Sequence, residues 1–124
     1  MRAAQPAMGS ATFKQEDPNP ETTVLAVKGE LDVSNVRELR RRIDDVLDRR
    51  RGTLILDLVE LVHMDSSGLA ELISANQRAR LSGMRLVLAF DSPGLRRTIE
   101  VRGLDGMFKI ADSRADALGT LEQA

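Results

Sequence analysis

The 124-residue sequence predicts an α/β domain: a mixed β-sheet of four to five strands covered by about four helices. Three observations carry that prediction. Short apolar runs alternate with amphipathic segments along the chain, the pattern of a sheet layered with helices. The runs at 53–58 and 85–90 are almost continuously apolar, as in strands buried on both faces. Glycines at 52, 83 and 103 stand where successive helical patterns stop.

Taken in order, residues 1–10 are small and Ala-rich with no apolar period, and are expected to form a flexible tail. The domain is expected over 11–124. Ala11–Gln15 predicts a short edge strand, and the two prolines and two turn formers of 16–20 predict a turn. Thr22–Lys28 is rich in β-branched residues and reads as a strand. Val36, Leu39, Ile43, Val46 and Leu47 form one apolar stripe at helical spacing. Glu38 precedes Arg42 on the opposite face in the favourable orientation for an ion pair. Arg49, Arg50 and Arg51 complement the dipole at that helix's end and read as a solvated basic run. A buried strand over 53–58 follows, then Asp65-Ser66-Ser67-Gly68 opens a helix with Leu69, Leu72, Ile73 and Asn76 on one face. The strand at 85–90 leads through Asp91-Ser92-Pro93-Gly94 into a helix carrying Leu95 and Ile99. A short strand at 107–110 comes next, and Asp112 or Ser113 caps a last helix with Ala117, Leu118 and Leu121 inward. The order is β-β-α-β-α-β-α-β-α.

Composition excludes many functions. There is no Cys and a single His, which removes disulfides, thiolate or multi-histidine metal sites and Cys nucleophiles. Three Phe with no Trp or Tyr leave no stacking platform for single-stranded nucleic acid. Eighteen Lys and Arg against nineteen Asp and Glu argue against direct nucleic-acid binding. No apolar run reaches membrane-span length and no signal peptide is evident, so a soluble, cytoplasmic protein without membrane insertion is expected.

Two segments remain as candidates for chemistry. Met64-Asp65-Ser66-Ser67-Gly68-Leu69 opens a helix, where unpaired N–H groups favour negative charge, although a polar loop with an N-cap explains the same residues. Gly29-Glu30-Leu31-Asp32 lies where a strand turns into a helix, and alone it specifies nothing. A serine hydrolase needs a base within reach of its nucleophile. The one histidine, His63, is four residues from Ser67, and the Gly-x-Ser-x-Gly elbow is missing. No phosphate-binding glycine loop is present. Asp44 and Asp45 sit on a charged helix face and read as pairing and solubility.

Together, Gly-Glu-Leu-Asp after a strand and Met-Asp-Ser-Ser-Gly-Leu opening a helix, with a charged helix and an apolar strand between them, resemble the STAS domain. More narrowly, they resemble the stand-alone bacterial anti-sigma factor antagonists. The resemblance runs from about Thr12 to the C-terminus. It implies a STAS-like sheet and a protein that is not an enzyme and needs no cofactor or metal. Its partner would be an anti-sigma factor, a serine kinase of the GHKL type, whose capture frees a sigma factor for transcription. The kinase would inactivate the antagonist by phosphorylating Ser67, and a serine phosphatase would reverse this. Asp32, Asp65, Ser66, Ser67, Gly68 and Leu69 match the family's partner-binding surface, and the free protein is expected to be a monomer. His63 departs from the Phe or Tyr often found at its position. The alternative within the family is a module of a stressosome-type scaffold or of a membrane transport complex. Outside it, a nucleotide or small anion at the Ser66–Leu69 loop is the competing reading.

Electrostatics suits such a switch. Phosphorylation adds about −1.5 to −2 charges at pH 7. A carboxylate ~6 Å away would then be repelled by about 3 kcal/mol per charge pair at an effective dielectric of ~20. That corresponds to roughly a hundredfold in affinity before screening.

Overall fold

A computed structural model describes residues 10–122, with side chains to position 119. The expected tail therefore falls almost wholly outside the described residues, as does the expected packing of Leu121. The elements are β1 (Ala11–Asn19), β2 (Thr22–Leu31), α1 (Val36–Arg49), β3 (Thr53–Asp57), β4 (Leu61–Met64), α2 (Ser66–Leu81), β5 (Arg85–Ala89), α3 (Pro93–Val101), β6 (Lys109–Ala111) and α4 (Arg114–Glu122). The mixed sheet and its four helices are as expected. Its strands number six, the addition being β4, in a stretch too short to stand out from the loops around it.

The sheet order is β1-β2-β3-β5-β6, with β4 paired to β2 off that path. β1 runs antiparallel to β2, and the other pairings are parallel. Contrary to the expected turn at 16–20, β1 continues to Asn19 through Pro18. An edge strand tolerates a proline, and the register slips between Glu16 and Asn19 to accommodate it. The turn itself is confined to Pro20 and Glu21, where the Glu21 N–H donates to Asn19 Oδ1 at 2.9 Å.

Strand alternation sends Leu25, Val27, Leu54, Leu56, Leu86 and Leu88 into the main core, with Leu39, Ile43 and Val46 of α1, Leu72 and Ala75 of α2, and Ile99 of α3. Each large aliphatic side chain removed from water contributes about 1.5–3 kcal/mol, so this layer dominates the stability of the domain. Val24, Ile55, Val87 and Ala89 form a smaller core on the opposite face with Ala117 of α4. Arg114, at the start of α4, holds Asp57 at 3.0 Å and also bonds Glu16 of β1. Bonds from Lys14 and Arg114 to its charged form hold the Glu16 carboxyl below the usual carboxylate range.

The basic run after α1 is not simply solvated. Arg50 donates to Thr23 Oγ1 at 2.8 Å and to the carbonyls of Asn19 and Thr22 at 2.9 and 3.1 Å. It clamps the end of α1 to the β1–β2 hairpin, a bridge between residues about thirty apart that local charge patterning does not reveal.

Candidate functional site

β2 changes partner along its length. Thr22–Ala26 pairs with β3, and Gly29–Leu31 pairs with β4. The change falls at Gly29, where φ is +107° and the register slips. A side chain there would be strained, and its Cβ would lie 2.3 Å from the Ser10 carbonyl oxygen. Beyond Gly29, Glu30 lies opposite His63 and Leu31 opposite Met64, and the Asp65 N–H donates to the Leu31 carbonyl at 3.1 Å. Thus Gly29–Asp32 and Met64–Gly68, more than thirty residues apart in sequence, run side by side at one end of the sheet.

Each segment then starts a helix. Asp65 is the N-cap of α2, its Oδ1 accepting from the Ser67 and Gly68 N–H groups at 2.8 and 3.2 Å. At α1 the N-cap residue Asn35 makes no side-chain bond into the helix. Its amide reaches back instead, donating to the Glu30 carbonyl at 2.8 Å and accepting the Asp32 N–H at 3.0 Å. Asp32 Oδ1 accepts from the Ser34 N–H at 2.9 Å and from the Ser34 hydroxyl. This closes a turn that leaves Val33 62% exposed.

The structure sorts the site residues expected from sequence. Asp32, Asp65 and Ser67 are half-buried and Ser66 is exposed. Leu69, by contrast, is only 4% exposed and belongs to the core. Gly68 is buried as well. A Cβ there would meet Met64 Cγ at 2.4 Å and Leu31 Cβ at 3.2 Å, so glycine lets α2 seat against the strand ends. Both residues support the loop from beneath. His63 is exposed on β4. Beside it lies a cleft of about 290 Å³ between β4 and the start of α3, in whose lining His63 is the one titratable side chain.

Sequence reasoning missed β4, the back-bridging Asn35 and a polar seam between α1 and α2. In that seam Glu71 is 6% exposed and takes Arg78 Nη2 at 2.8 Å. Arg78 also bonds Asp44 Oδ1 at 2.8 Å and the Ser74 hydroxyl. Burial pulls the Arg78 pKa down, but bonds and charge from Glu71 and Asp44 outweigh it and hold the guanidinium above its ordinary value. The signal was present as polar and charged residues at positions 71, 74 and 78, one stripe at helical spacing, but only the neighbouring helix shows it to be inward.

A family model for the STAS domain matches residues 14–117. The chain belongs to the STAS domain family. This STAS domain is 28% identical over 100 residues to an anti-sigma F factor antagonist of Paenibacillus polymyxa, covering 80% of the chain and 86% of the relative. Its fold matches the crystal structure of an anti-sigma factor antagonist from Mycobacterium paratuberculosis with a TM-score of 0.77 at 28% identity, over 91% of this chain and 95% of that one. It also matches SpoIIAA in its unphosphorylated form, TM-score 0.76 at 25% identity, over 91% and 98% of the two chains. The Bacillus SpoIIAA in its phosphorylated form gives 0.71 at 26% identity, over 89% and 99%. By homology and fold this STAS domain falls among the anti-sigma factor antagonists, regulatory binding proteins rather than enzymes. No helix among the described residues is long and apolar enough to cross a membrane.

Proposed function

We propose that this chain binds an anti-sigma factor that is a GHKL-type serine kinase, thereby releasing a sigma factor for transcription, and that the kinase switches it off by phosphorylating Ser67. A serine phosphatase restores it, and the cycle runs in the cytoplasm with the free protein a monomer. The observation that carries this reading is the parallel pairing of Gly29–Leu31 with Leu61–Met64. It lays Asp32 and the exposed Val33 turn beside Asp65, Ser66 and Ser67, forming one small surface from two helix starts. Asp32, Asp65, Ser66 and Ser67 supply the contacts, while Gly68 and Leu69 shape the loop. A dianion on Ser67 enters a neighbourhood that already holds two carboxylates, so it is felt first by whatever docks there. The fold tolerates the charge because it sits at the start of a helix. Ser67 needs no base of its own, since the kinase supplies base and ATP.

Incubation with ATP and the anti-sigma factor kinase of the same organism, followed by mass spectrometry, tests this. One phosphate is expected, on Ser67, and none on a Ser67→Ala variant. Full phosphorylation of that variant would overturn the assignment.

A further inference from the structure

Ser67, Glu71, Ser74 and Arg78 follow one another at spacings of four, three and four residues, so they form a single stripe along α2. Glu71 and Arg78 meet α1 in the polar seam, and Ser74 bonds Arg78 from within α2. Its cross-helix contacts advance in step along both helices, Arg40 with Glu71 and then Asp44 with Arg78, so α1 and α2 run in the same direction. Ser67 therefore heads the seam, one turn above Glu71, where Cβ atoms are about 5–6 Å apart.

The two arginines of the seam are not equivalent. Arg78 is 20% exposed and holds both Glu71 and Asp44 at 2.8 Å. Arg40 is 54% exposed and reaches the same two carboxylates only at 3.7 and 4.0 Å. Both carboxylates are thus satisfied without Arg40, whose long side chain hangs over Glu71 in loose contact and facing solvent. A guanidinium in that state is free to move one helical turn to a stronger anion, and a phosphate dianion accepts bidentate bonds from arginine.

We propose that Arg40 is the intramolecular receptor for a phosphate on Ser67, leaving Glu71 and Asp44 to Arg78 when the phosphate is present. This rests on the reading of Ser67 as the modified residue. The consequence is regulatory. The phosphorylated form draws the α1 cation toward the helix starts and lays a guanidinium across the partner-binding surface, so that inactivation includes a rearranged surface as well as added charge. The other charged groups near this end of the seam are Asp65, the N-cap of α2, Glu71 and Asp44 within the seam, Asp32 in the turn before α1, and the exposed Arg37 one turn before Arg40.

The test installs phosphoserine directly at position 67 by genetic encoding, so that no kinase is involved, in chains carrying Arg40, Arg40→Gln or Arg40→Lys. The phosphate is titrated by ³¹P NMR. With Arg40 present it is expected to titrate about one pH unit lower than in Arg40→Gln, since an adjacent cation favours the dianion. Arg40→Lys is expected to recover part of that difference. Phosphoserine placed at the exposed Ser66, off the seam, is expected to titrate alike with Arg40 and with Arg40→Gln. Identical titration of the position-67 phosphate in all three chains would overturn the proposal while leaving phosphorylation of Ser67 intact. Failure of the kinase to modify Ser67 would overturn the functional reading without altering this measurement.

Discussion

Two helix starts lie side by side at one end of the sheet, and they meet the same need in opposite ways. Unpaired N–H groups at the head of a helix need acceptors. At α2 the acid Asp65 supplies them directly, with one oxygen on two N–H groups. At α1 the acid Asp32 closes its own turn with Ser34, and Asn35, at the cap position, bonds backward to the end of β2. The first start is a cap that fixes a helix. The second is a bridge that fixes a loop to a strand and holds the Val33 turn outward. The proposed binding surface combines the two, a rigid platform under Ser67 and a defined protrusion beside it.

The largest expected effect comes from adding charge to the platform. Ser67→Asp is expected to weaken binding of the anti-sigma factor by roughly a hundredfold, from about 3 kcal/mol of repulsion at ~6 Å. The circular dichroism spectrum should stay nearly unchanged. Titration calorimetry with the partner reads the first, and a variant that unfolds would show Ser67 to be structural. A smaller effect tests what joins the two starts. Gly29→Ala imposes a strained φ and a backbone clash, and is expected to cost about 2 kcal/mol in urea unfolding. It should weaken partner binding too, because β4 loses its register with β2. The smallest effects separate cap from bridge. Asp65→Ala is expected to cost about 1 kcal/mol, the usual value of an N-cap. Asn35→Ala, which removes two part-buried hydrogen bonds, should cost a similar amount. Their hydrogen-exchange patterns should differ. Loss of Asp65 exposes the first turn of α2, whereas loss of Asn35 exposes the Glu30–Asp32 segment. Identical patterns would show that the two starts behave as one unit.

Much of the fold was visible along the chain because it depends on local periodicity. The apolar stripe of α1, the continuous runs of β3 and β5 and the glycine stops each state their own element. Both motif segments were visible for the same reason, as turn and cap residues at element ends. β4 was not, because Leu61–Met64 is four residues long and has too few alternations to declare a strand. The span of β1 was misjudged because Pro18 breaks a ladder in general, yet is harmless on an edge. Leu69 adjoins the Asp-Ser-Ser-Gly motif in sequence, and helical geometry turns it into the core.

By itself the sequence determined the class of the domain, the order of its main elements and the two short motif segments at element ends. Those properties follow from residue type and spacing, which act over a few residues. Only the tertiary structure decided that the two segments lie side by side. Their meeting depends on β2 exchanging β3 for β4 at Gly29, a pairing between strands thirty residues apart. It also decided that Ser67 heads a charged seam shared with α1, because a helix's inward face is defined by the neighbour against which it packs.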